Sequence, residues 1–136
     1  MPTYISGSLT LVLIVLLLGF GLQVADIFRT TRAVDAALQF AELEMGMQGC
    51  VSSRAINLVK ERLSREGLDT SHLKLLYREG PGSNRVQWGG PVELDIHYEE
   101  PRQLLGSLTT KSFNLVVDRH IATISGWVTQ GDAVCR

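Results

Sequence analysis

The chain has 136 residues, with 13 basic and 14 acidic side chains and a formal net charge of −1. Every one of those charges lies beyond Ala25. That separation excludes a plain water-soluble domain, and without a basic excess to neutralise phosphates nucleic acid is not an expected partner.

Ile5 to Ala25 is uncharged, and Leu11 to Leu18 is an unbroken aliphatic run. As a helix the segment spans roughly 31 Å, about the hydrocarbon thickness of a bilayer. No Lys or Arg precedes it, and Gly19-Phe20-Gly21-Leu22-Gln23-Val24-Ala25 makes a poor small-x-small cleavage site. The expectation is a retained membrane-type helix over residues 1–25, in preference to a cleaved signal or a buried core helix. The nearest basic residues, Arg29 and Arg32, follow the segment, which by the positive-inside rule would leave the C-terminal part in the cytoplasm. One resolution is that a basic leader was removed ahead of Met1.

Asp26 to Met47 contains no proline, and Ile27, Thr31, Val34, Leu38, Ala41 and Met45 repeat every three or four residues. The spacing predicts that one helix runs through the charge boundary, from about residue 5 to 46, some 60 Å in all. Its first half is apolar all round and its second half, 26–47, is amphipathic. Gly46 and Gly49 mark its end. Ser52 to Glu66 is a second helix, with Ile56, Val59, Lys60 and Leu63 on one face, Ser52 or Ser53 as cap and Gly67 just past its end.

After that the period changes to two. His72 to Arg78, Arg85 to Trp88 and Val92 to Glu99 are strand candidates, separated by Gly- and Pro-rich turns. In the third, Val92, Leu94, Ile96 and Tyr98 face inward and Glu93, Asp95, His97 and Glu99 outward. Phe113 to Val117 and His120 to Val128 follow, as two strands or one bent ribbon. The connections are too short for helical crossovers. The expected fold is therefore α+β: a long N-terminal helix, a short second helix, and a small antiparallel sheet of three to five strands over residues 72–129, packed on the helical stripe within a 26–136 domain. Glu100 to Thr110 reads as an interruption. Its Leu104, Leu105 and Leu108 either cover one end of the core or dock on a neighbouring subunit or the bilayer.

Cys50 and Cys135 are the two cysteines. A bond between them would close most of the globular part and would need an oxidising, extracytoplasmic compartment; the alternative is two separately placed thiols. Two cysteines without local spacing give no zinc signal. His97 with Glu93, Asp95 and Glu99 superficially resembles an acid–base or hard-metal cluster, but the polar side of any alternating strand looks the same. No HExxH, GxSxG, Walker A or GxGxxG pattern occurs, so neither enzyme activity nor a cofactor or metal is expected.

An uncharged N-terminal helix, its amphipathic continuation and a small antiparallel sheet together resemble a pilin or pseudopilin. More narrowly the chain is similar to TadE-like pseudopilins of tight-adherence pili and related small Gram-positive pilin-like proteins. The residues that carry this are Arg32 to Ala41 (RAVDAALQFA), Gly67-Leu68-Asp69 ahead of the first strand, and Val92 to Tyr98 followed by Pro101 and a Leu-containing loop. The resemblance implies membrane insertion, leader processing by a prepilin-type peptidase, contact with a pilus assembly machinery, and a filament of copies of this chain. Its core would be built from Leu9, Val12, Leu13, Leu16, Leu17, Gly19, Phe20, Gly21 and Val24, with Gly7, Gly19, Gly21 and Ala25 allowing close helix approach. The acid that many type IV pilins carry near the mature N-terminus is missing: Ile5 stands there, and the first acid is Asp26. Register would then rest on Asp26, Arg29, Arg32 and Asp35, with Asp26 against Arg29 or Arg32 of a neighbour. The expected function is a structural filament subunit in the cytoplasmic membrane before assembly and at the cell surface after it. The alternative is a single-span, membrane-anchored extracytoplasmic protein, a minor pseudopilin or partner-binding module, that forms no filament.

Overall fold

The structure, a computed structural model, describes residues 2–105, 110–128 and 133–136. Helix α1 runs without a break from Pro2 to Gln48. Proline is tolerated at the first turn, where its missing N–H has no intrahelical partner anyway. No second proline precedes Gly49, which is the first glycine to leave helical geometry: it adopts φ +69° and donates its N–H to the Met45 carbonyl at 2.8 Å. Of the two expected stop signals, Gly49 ends the helix, whereas Gly46 lies inside it. Gly46 instead lets β-sheet backbone come close: its carbonyl accepts from the Gly126 N–H at 2.7 Å. In the apolar half, Ser8 and Thr10 donate their hydroxyls to the carbonyls of Tyr4 and Ser6, so neither is left unsatisfied.

Helix α2 spans Ser53–Arg65. Ser52 caps it by accepting from the Ala55 N–H at 3.2 Å, and Gly67, at φ +78°, follows its end. Ala55, Val59 and Leu63 are its buried face; Ile56 is only partly covered and Lys60 is exposed. A 3₁₀ turn at Thr70–His72, capped by Asp69, leads into the sheet.

Three strands, β1 (Leu73–Tyr77), β2 (Pro91–Gln103) and β3 (Ser112–Ile124), form an antiparallel meander in the order β1-β2-β3. The α+β expectation is met at its lower strand count. Phe113 to Val117 and His120 onward form one continuous strand, β3, the single-ribbon alternative, although it ends at Ile124 before Val128. Two further details differ. Glu100 to Gln103 do not interrupt the sheet; β2 continues through them, pairing Pro101 with Asn114 and Gln103 with Ser112. By then β1 has ended, so β2 has an open edge, where a residue without an N–H is tolerated. Arg85 to Trp88 is not a strand. Its backbone bonds scatter to three places: Arg85 to Ala133, Val86 to Gly49, and Gly89 next to it to Ser125. A ladder needs successive bonds to one neighbour.

The inward row of β2 (Val92, Leu94, Ile96, Tyr98) is fully buried, as the alternation predicts. With Leu115 and Val117 of β3 it covers the α1 stripe and the buried face of α2. The stripe itself is Thr30, Ala33, Val34, Ala37, Leu38, Ala41, Glu44 and Met45. Ile27 and Thr31, expected on it, are only half-buried. Cys50 and Cys135 form a disulfide that joins the end of α1 to the C-terminus across 85 residues.

Candidate functional site

The site is α1 and the two sheet strands that lie along it. Along the helix the contacts run in order. Thr123 stands beside Gly46, Arg119 bonds Asp35 at 2.8 Å, Arg102 pairs with Asp26 at 3.3 Å, and Leu105 sits against Gly19. The β2–β3 hairpin thus accompanies α1 over about 40 Å of its length, past the charge boundary and into the apolar half.

The expected packing residues are distributed as follows. Leu9, Val12, Leu13, Leu16, Leu17, Phe20 and Gly21 are exposed, while Gly19 and Val24 are half-covered. A helix from Thr3 onward is long and apolar enough to cross a membrane, and its most apolar window has no residue buried within the chain. Beside Gly7 and Gly21 there is open space; beside Gly19 the space is already taken by Leu105.

The four expected register charges separate into two kinds. Asp26 and Asp35 are held within the chain by Arg102 and Arg119. Arg102 also pairs with Glu100 at 2.8 Å, and Glu100 accepts from the Tyr98 hydroxyl at 2.9 Å. Burial, then the Glu100 carboxylate, pushes that hydroxyl up to about 12. Arg29 and Arg32 line a groove with Phe28, Ala36 and Glu66, where Arg29 donates to the Glu66 carbonyl at 3.5 Å. In this arrangement Asp26 already has a cation of its own chain on Oδ2, and its half-exposed carboxylate keeps acceptor sites for Arg29 or Arg32 of a neighbour.

Of the loop leucines, Leu108 lies outside the described residues. Leu104, just after β2, is 37% exposed. Leu105 takes φ +54° and packs on Gly19 of its own helix. Gln23, in the uncharged segment, clamps this stretch: its amide nitrogen donates to the Gln103 carbonyl at 3.1 Å and its oxygen accepts from the Leu105 N–H at 3.2 Å. Sequence reasoning assigned no role to Gln23, Arg102 or Arg119. Gln23 carried a signal, as the only side-chain amide before the first charge. Arg119 carried another, as a cation at an inward position of an alternating strand.

The outer face of the sheet carries the histidines. His97 meets Asp118 across the strands and Glu99 at 3.4 Å along its own; His120 meets Asp95. The hydrogen bond to Asp118, then that to Glu99, raises the His97 pKa above its ordinary value, and the bond to Asp95 does the same for His120. These are cross-strand pairs of a solvated face. Among the described residues no group of three or more His, Cys, Asp and Glu is placed to hold a metal ion. Trp127 is buried, with Arg85 over its ring at 5.6 Å, whereas Trp88 is exposed.

Comparison of the chain with protein-family models, curated proteins and solved structures finds no match.

Proposed function

We propose that the chain is a non-enzymatic structural subunit of a type IV pilus-like (Tad-like) extracellular filament. In this reading it is inserted in the cytoplasmic membrane by the first half of α1, processed by a prepilin-type peptidase, and delivered by an assembly machinery to a filament of its own copies at the cell surface. The observation that carries the reading is where apolar surface remains on α1. Phe28, Phe40, Leu43 and Met47 are exposed on the half of the helix that follows the charge boundary, Leu43 at 67% and Met47 at 63%. Met47 lies about 33 Å beyond Ala25 along the helix, out of reach of lipid surrounding residues 5–25. The sheet and α2 border this surface without covering it: Arg62 of α2 stands over the Phe40 ring at 5.1 Å, and Leu43 and Met47 line a groove with Thr123 and Ile124. Copies of the same helix can cover both the lipid-exposed half and this extension, which a lone anchor would leave in water. The disulfide supports an oxidising compartment for the domain.

Electron microscopy of sheared cell-surface material, with mass spectrometry of the filaments, tests this. Filaments containing this chain are expected, and a Leu43→Glu, Met47→Glu variant should reach the membrane at normal levels yet yield few or none. Filaments that lack the chain, with the protein found only as a membrane monomer, would assign it to the single-span anchors instead.

A further inference from the structure

We propose that Leu104 and Leu105, which follow β2, are a membrane-interface contact, with Leu104 inserted at the headgroup–acyl boundary beside α1. This rests on the reading of the apolar half of α1 as membrane-inserted.

The argument starts from depth. Leu105 touches the helix at Gly19, and Gly19 lies seven residues, or about 10 Å, to the apolar side of Asp26. The headgroup layer on each side of a bilayer is only about 5–8 Å thick. A chain that keeps the Asp26 carboxylate at the water edge therefore places Gly19, and Leu105 lying on it, at the start of the hydrocarbon.

The neighbours of Leu104 and Leu105 ask for the same surroundings. Phe20 and Leu22 are exposed on the helix at this level, at 58% and 74%. Leu22 lines one groove with Leu105, so an apolar medium that covers it reaches the residues that follow β2.

The described backbone groups at Gln103 to Leu105 are largely paired, and Lys111 beside them is exposed, with a stem that can carry its charge back to the headgroups. A backbone turn entering lipid normally strands N–H and C=O groups. Here the Leu105 N–H and the Gln103 carbonyl are bonded to the two ends of the Gln23 amide, and the Leu104 N–H donates to the Lys111 carbonyl at 2.8 Å. The Gln23 side chain, costly in an apolar helix by itself, is satisfied by the same contact. Just above, Asp26, Arg102 and Glu100 neutralise one another to within one charge. The hairpin and helix thus enter the boundary as one bonded unit.

The test uses the full chain in phospholipid nanodiscs. After the emission of the unsubstituted chain, which comes from Trp88 and Trp127, is subtracted, the emission added by Leu104→Trp should be quenched about twofold by lipids brominated high on the acyl chain, near the headgroup, as expected for an interfacial side chain, with little effect from lipids brominated near the chain end. Leu13→Trp serves as reference inside the apolar half. If Trp emission at 13 is quenched but that at 104 is not, and aqueous acrylamide quenches the latter freely, the inference is overturned while the membrane reading stands. If neither is quenched, both fail. Circular dichroism of each variant against the unsubstituted chain checks that it is folded. In the unsubstituted protein, a nitroxide-headgroup lipid should broaden the Leu104 methyl resonances; unaltered methyl signals overturn the inference without any substitution.

Discussion

Gly49 shows how much one residue without a side chain can carry. It ends α1 at φ +69°, and a Cβ there would lie 2.7 Å from both Ser125 Oγ and the Val86 carbonyl oxygen, and 3.0 Å from Trp127 Cβ. Three chain segments meet on it. Gly67 ends α2 with a similar φ of +78° but has nothing within 4 Å of that position. Gly49→Ala should therefore cost about 2–4 kcal/mol, conformational strain plus overpacking, against about 1 kcal/mol for Gly67→Ala. Urea unfolding midpoints of the two variants check the difference; equal midpoints would refute it. Both glycines were legible in the sequence as helix ends. The crowding at Gly49 was not, because Val86, Ser125 and Trp127 are brought to it from distant parts of the chain, out of stretches that composition and alternation read as strands.

At the scale of elements, the strands and their inward rows could be read from alternation, but the register between strands could not. Alternation places His97 and Asp95 on the outer face; only the hairpin register brings Asp118 opposite His97 and His120 opposite Asp95. The helix α1 was legible over almost its whole length because its apolar stripe persists through the charge boundary. The second role of β2, reaching down past Pro101 to Gln103, was hidden because proline and a leucine pair look like a loop. The paired histidines make the sheet sensitive to pH. Their pKa values are raised in the folded state, so the stabilisation is fully present below the ordinary histidine pKa of about 6.5 and is lost as the pH rises through the folded values above it. The thermal midpoint of the full chain should therefore fall as the pH climbs from about 6 toward 8. A variant with His97→Gln and His120→Gln should lose that slope, measurable by calorimetry across the range. Exposure keeps the effect small.

The whole molecule is closed by one covalent link. Cys50 and Cys135 enclose all of α2 and the sheet, and Ser53 N–H bonds the Arg136 carbonyl beside it at 2.9 Å. In the chain-entropy account, a bond across 85 residues stabilises by about 4–5 kcal/mol. Cys50→Ser with Cys135→Ser should lower the unfolding free energy by about that amount. Denaturant titration of the variant against the oxidised parent measures it, and a loss below about 1 kcal/mol would show that the reduced chain keeps the ends together by packing alone. The pairing could be expected from two cysteines flanking the globular part, but the shape it closes could not.

The unbroken helix has a mechanical consequence. α1 has 47 residues and a length of about 70 Å, with no proline after its first turn and no other interruption. It acts as a stiff lever, and the hairpin is fastened along it at Gly19, Asp26, Asp35 and Gly46. A change of 10° in the tilt of its apolar end would swing the opposite end by about 12 Å, carrying the sheet with it. Forces felt by the first half of the helix are thereby converted into displacements of the domain, without a hinge to absorb them.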